Sequence, residues 1–168
     1  MKTFRKTDKE IKDQIINWFL KYHKLSNDDF TGFEEFTLFE KLLLDKQEKT
    51  KTLLHANELA VLILKKDVEN TIICTTRRFI CLEKNEILEL KYSEFNRHVG
   101  YKDIHVHGHI GPHIGVKTDG YISEFGLQKN DGQIIYWKIP TGKSGFAFWN
   151  ITQKFEMIGR KYIIQETE

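Results

Sequence analysis

The sequence predicts an α+β fold: an antiparallel β-barrel or sandwich capped by a C-terminal helix and preceded by two N-terminal helices. Three observations predict it. Before residue 55 the apolar residues recur at helical spacing. Beyond it, short runs of branched and aromatic residues are separated by turn signals, the pattern of many short antiparallel strands. A last stretch, after Pro140, returns to helical spacing. The expected division is a helical extension, 1–54, packed on a strand-bearing domain, 55–168.

Composition fits this fold and excludes several function classes. A chain of 168 residues that is 40% hydrophobic and 30% charged is a globular mixture, neither disordered nor membrane-embedded. Its 26 basic and 24 acidic residues leave a net charge of +2, so nothing draws the whole chain toward nucleic acid or anionic lipid. Scattered basic residues on a near-neutral total argue against a nucleic-acid partner. Met1-Lys2-Thr3-Phe4-Arg5-Lys6 lacks the apolar core of a secretory signal. No run approaches the ~20 apolar residues of a membrane-spanning helix. Cys74 and Cys81 lie in apolar runs, where reduced thiols behave as small hydrophobes. A cytoplasmic protein is expected.

Thr7 and Glu10 have capping-box spacing, so a helix should begin there. Ile11, Ile15, Phe19 and Tyr22 form its apolar stripe, with Trp18 alongside. Residues 26–32 are rich in turn formers, and a second helix is expected over 33–46 with Phe36, Phe39, Leu42 and Leu43 as its stripe. Residues 45–52 read as a charged connector. Strands are expected over 59–64, 71–75, 78–82 and 87–90, the middle two as a tight hairpin. Asp119-Gly120 and Asn130-Asp131-Gly132 are hairpin turns, the latter joining 125–127 to 134–139. Pro140 ends the last strand and Ser144 is the expected N-cap of the final helix. That helix carries Phe148, Ile151, Phe155, Ile158 and Tyr162 at helical spacing.

The run Thr75-Thr76-Arg77-Arg78-Phe79-Ile80-Cys81-Leu82, followed by Leu88-Glu89-Leu90-Lys91-Tyr92-Ser93-Glu94-Phe95, resembles the bacterial pleckstrin-homology-like (PH-like) families. These show a threonine-rich turn into Arg-apolar-apolar, then a strand ending in a Tyr-Ser-polar-apolar step. The resemblance is clearest over 59–95 and extends loosely to Tyr162; it covers neither the N-terminal helices nor the 100–115 segment. It implies a binding scaffold with a protein, peptide or lipid headgroup as ligand, although fold alone fixes no function.

Two groups of residues are candidate sites. Lys65, Lys66, Arg77 and Arg78 flank the first strands and are expected to approach one another at one rim of the barrel. A phosphoinositide or other anionic lipid is disfavoured as their ligand because Asp67 and Glu69 interrupt the basic spacing after Lys66; solvated hairpin ends are the simpler account. The second group is His105, His107, His109 and His113. In a single strand over 104–110 the first three histidines would share one face, and zinc or nickel accepts neutral imidazole. Against this, Ile104, Val106 and Ile110 explain the strand by themselves, and histidines spaced along a strand do not converge easily on one ion. Thr141-Gly142-Lys143-Ser144 lacks the first glycine of a phosphate-binding loop, that position being Trp137, and reads as a helix start. No nucleophile motif is present. The expected function is therefore a non-catalytic interaction module with a protein or peptide partner and no cofactor. The alternative is a small metal-dependent enzyme or metal-binding protein built on the histidines.

Overall fold

A computed structural model describes residues 6–26, 36–65, 70–84, 86–102, 104–106, 109–111 and 122–162. The fold is α+β. Hydrogen bonding sorts the strands into separate antiparallel ladders of five, three and two, and among the described residues they do not close into a barrel. The chain divides into two compact units, Met1–Ser93 with Arg160–Glu168, and Glu94–Gly159. No helix among the described residues is long and apolar enough to cross a membrane.

The first unit opens with helix α1 (Asp8–Tyr22). Its capping box forms as the spacing requires: Thr7 Oγ1 accepts from the Glu10 amide, and the Glu10 carboxylate accepts from the Thr7 amide. These bonds hold the Glu10 carboxyl below its ordinary pKa. Ile11, Ile15, Phe19 and Leu20 are buried, whereas Tyr22, expected on the stripe, is 48% exposed at the last helical position.

The expected helix over 33–46 is not formed. Phe36–Leu38 is instead strand β1, followed by a single 3-10 turn (Phe39–Lys41) and then helix α2 (Leu44–Lys51). The spacing of Phe36 and Phe39 suits a helix, but pairing with strand β2 (Ala60–Lys65) decides the matter: Phe36 lies opposite Leu64 and Leu38 opposite Leu62. The helix starts later, on the charged run read as a connector, and buries none of its residues.

Strand β2 continues through β3 (Thr71–Thr75), β4 (Arg78–Glu83) and β5 (Glu86–Lys91) as an up-and-down meander, giving the order β1-β2-β3-β4-β5. The β3–β4 hairpin is the one the sequence predicts, with Cys74 opposite Phe79 and Ile72 opposite Cys81. On one face Ala60, Ile63, Ile73 and Ile80 pack with Phe39 against Leu42, Leu53 and Leu54. Phe36 meets Phe19 of α1 with ring centroids 6.0 Å apart. Burial of this aliphatic and aromatic surface is the main favourable term in the unit. Cys74 and Cys81 are free and buried, and burial pushes the Cys74 thiol well above its usual pKa.

The second unit pairs β6 (Phe95–Tyr101), β9 (Ile122–Lys129) and β10 (Ile134–Pro140) in the order β10-β9-β6. Gly132, at φ +89°, sits in the β9–β10 turn, where a left-handed residue closes the hairpin. Asp119-Gly120 lies outside the described residues. Phe125, Leu127, Trp137 and Ile139 form the buried face of this sheet, and helix α3 (Lys143–Tyr162) covers it through contacts such as Phe148 on Phe125. Ser144, expected to cap α3, is inside the helix; Gly142, at φ +76°, precedes its first residue. Between β6 and β9 the short strands β7 (Ile104–Val106) and β8 (His109–Gly111) form the two-stranded ladder.

Candidate functional site

Among the described residues the expected basic rim does not assemble. In a meander each successive turn falls at the opposite end of the sheet. Lys65 pairs with Thr71 at one end of β3, and the Thr76-Arg77 turn follows Thr75 at the other. Lys65 is exposed at its end; Lys66 lies outside the described residues.

Arg77 and Arg78 have internal partners. Thr75 Oγ1 accepts from the amides of Arg77 and Arg78, at 3.0 and 2.9 Å, which shapes the turn. Arg78 then extends into the protein, only 2% exposed. Its Nε and Nη2 each donate to Glu58 at 3.0 Å, and Nη2 also donates to the Leu53 carbonyl at 2.8 Å. Nη1 lies 2.5 Å from the Glu89 carboxylate, a second ion pair at the sheet edge. Glu58 further accepts from Thr75 Oγ1 at 2.6 Å and from the His55 amide at 2.9 Å.

Burial alone would raise the Glu58 carboxyl, but Arg78, the His55 amide and Thr75 outweigh it and hold the group ionised below the ordinary carboxylate range. The reciprocal balance holds for Arg78, whose charge burial disfavours and whose two carboxylate partners keep it. Arg77 turns the other way. Its Nε and Nη2 donate to the two oxygens of Asp8 at 3.1 and 2.9 Å, and Thr76 Oγ1 donates to the same carboxylate. The threonine–arginine turn thus anchors the start of α1 on one side and the 53–58 segment on the other. This accounts for both arginines without a ligand.

An unanticipated surface lies on β5. It is the outer strand of the five-stranded sheet, pairs with β4 over its whole length without a bulge, and is exposed at Glu86, Ile87, Leu88, Glu89 and Lys91. Ile87 is 55% exposed. The Tyr92 amide donates to the Arg77 carbonyl across the ladder at 3.0 Å, so backbone groups alternate from there. Glu86, Leu88 and Leu90 direct theirs toward β4, and Ile87, Glu89 and Lys91 direct theirs outward. The opposite edge, β1, has three residues and two of them are buried. The alternation over 87–90 reveals a strand; its position last in a meander is the sequence signal that it is also an edge.

The histidine segment departs from the single expected strand. Val106 pairs with His109 and His105 with Ile110, so the chain reverses between Val106 and His109. In this register His105 and His109 hold positions belonging to opposite faces of the ladder. His107 and His113 lie outside the described residues, as do the side chains of His105 and His109. Among the described residues no three His, Cys, Asp or Glu side chains gather as a metal site.

A histidine not singled out in the sequence, His98 on β6, is half-buried. Its ring centroid lies 3.6 Å from that of Trp149, and Nδ1 is 3.2 Å from Thr152 Oγ1. Burial pushes its pKa down to about 4, leaving the ring neutral at physiological pH. The arrangement is a packed aromatic cluster with Phe125 rather than a proton relay.

No protein-family model, curated protein or solved structure matches the chain.

Proposed function

We propose that the chain is a non-catalytic binding module of the PH-like type, and that its ligand is an extended segment of a protein partner added as a strand alongside β5. The observation that carries this reading is the regular, exposed β5 edge, whose Ile87, Glu89 and Lys91 backbone groups face outward. Strand addition takes affinity from such main-chain groups and selectivity from alternate side chains. Protected edges are usually short, bulged or interrupted by proline; β5 has six residues and a continuous register. The order of strands followed by a C-terminal helix supports the PH-like assignment, as does the threonine–arginine turn.

Glu86 and Glu89 make a lysine-bearing strand the suitable probe. A fluorescein-labelled ten-residue peptide of alternating Val and Lys should bind saturably by anisotropy. Ile87→Pro removes an outward N–H without removing a β4–β5 hydrogen bond, so the fold should persist by circular dichroism while binding is lost. Absence of binding to the wild type, or unchanged binding to Ile87→Pro, would refute the reading.

A further inference from the structure

The three-stranded sheet of the second unit has a second face, opposite the one covered by α3. An antiparallel sheet covered on one side ordinarily turns polar residues to the other. Here Val99, Ile122, Ile134 and Tyr136 lie on the uncovered face, each about two-fifths exposed. Gly126 is at the centre. A Cβ there would lie 2.3 Å from Val99 Cγ2, 3.1 Å from the Tyr136 ring and 3.3 Å from Ile134. The missing side chain lets these three neighbours lean together over β9 as one apolar patch. Covering a strand glycine accounts for Val99 and Tyr136, but not for Ile122 or for the charges around the patch.

Those charges are mainly positive. Among the described residues, Arg97, Lys102 and Lys138 share the face with one carboxylate, Glu124. Arg97 is held by Gln128 at 2.7 Å, and Lys102 lies 3.5 Å from Glu124 and 5.2 Å from the Tyr136 ring centroid. From this patch and its basic rim we infer that the face receives an amphipathic helix with acidic residues flanking its apolar stripe. Three strands at ~4.8 Å spacing make a platform roughly 10 Å across, the width of one helix. The positive excess disfavours a second copy, which would bring like charges together. A nucleic-acid strand would find one aromatic ring, already faced by Lys102, where stacking surfaces normally use several. This inference is independent of the β5 edge.

The probe is a 20-residue peptide with leucines at positions i, i+3, i+4 and i+7 and glutamates beside them, with a lysine-flanked peptide as control. Fluorescence anisotropy should show saturable binding of the glutamate peptide at least ~10-fold tighter than the control. Tyr136→Glu should abolish it. The double substitution Lys102→Glu/Lys138→Glu, at exposed positions where circular dichroism verifies folding, should reverse the preference. Ile87→Pro should leave it unchanged. Equal or absent binding of the two peptides overturns the inference, as does a preference unaffected by charge reversal. Tighter binding of a 20-nucleotide oligo-dT, lost in the same double variant, would assign the face to nucleic acid. A dimer by light scattering that dissociates in Tyr136→Glu would assign it to a second copy.

Discussion

Glu58 and Arg78, twenty residues apart, meet as a buried two-pronged ion pair in which both arginine–carboxylate hydrogen bonds measure 3.0 Å. Their side chains are 0% and 2% exposed. Removing one partner strands the other charge in a poorly solvated site. Glu58→Ala should therefore lower the unfolding free energy by about 3–5 kcal/mol, measured by urea denaturation. Replacing both, as Glu58→Leu with Arg78→Met, should recover most of that loss, because the one carboxylate left without its arginine, Glu89, is 41% exposed and can be solvated.

The same pair sets an acid limit. The Glu58 carboxyl is held below its ordinary pKa, so its contribution is complete above the unfolded carboxylate value of ~4.3. It disappears as the pH falls through the folded value. Urea midpoints measured on descending pH should drop more gently in Glu58→Ala than in the wild type over that acidic interval.

Asp8 and Arg77 form a more exposed pair, with side chains 13% and 25% accessible. Solvent weakens such a contact, and Asp8→Asn should cost only about 1 kcal/mol, less at high salt. Comparing thermal midpoints of this variant and the wild type at about 0.05 M and about 1 M sodium chloride checks the screening.

Gly145, in the first turn of α3, lets the Tyr101 hydroxyl pass and donate to the Pro140 carbonyl at 2.6 Å. A Cβ at this position would lie 2.1 Å from that hydroxyl oxygen and 2.7 Å from the carbonyl. Alanine raises helix propensity on an exposed surface, yet Gly145→Ala should destabilise by about 1–3 kcal/mol through overcrowding. Tyr101→Phe in the same background should relieve part of the cost, a pattern that chemical denaturation of the four-member cycle would resolve.

His98 should titrate near 4 in the folded protein, against ~6.5 for an exposed imidazole. The unfolded chain takes up that proton first, so stability is complete above the unfolded value and declines as the pH falls toward 4. A proton-detected NMR titration should place the His98 midpoint near 4, and His98→Gln should flatten the stability profile between those two values.

Local chemistry was legible and distant pairing was not. The capping box of α1, the β3–β4 hairpin, the Gly132 turn and the α3 stripe all depend on residues a few positions apart, and all are present. Phe36 has helical spacing with Phe39 three residues later, yet its strand state depends on Leu64, in a segment whose register no local pattern encodes. Arg78 read as a surface cation because its carboxylate partner, Glu58, lies beyond the adjoining strand. The opposite placement of Lys65 and Arg77 was implicit in the meander, whose turns must alternate ends. The apolar outer face around Gly126 required the β9–β10 register, which brings Tyr136 opposite that glycine.

The threonine–arginine turn also joins contacts whose loop-closure costs differ widely. Thr75 closes it with amides only two and three residues away, a contact with almost no loop to close. The Glu58 bond spans 20 residues and the Asp8 bond 69. Loop-closure entropy grows with that separation, so closing the hairpin costs least, fixing the 53–58 segment costs more, and docking α1 costs most. Helix α1 is thus held by a turn that lies 69 residues further along the chain.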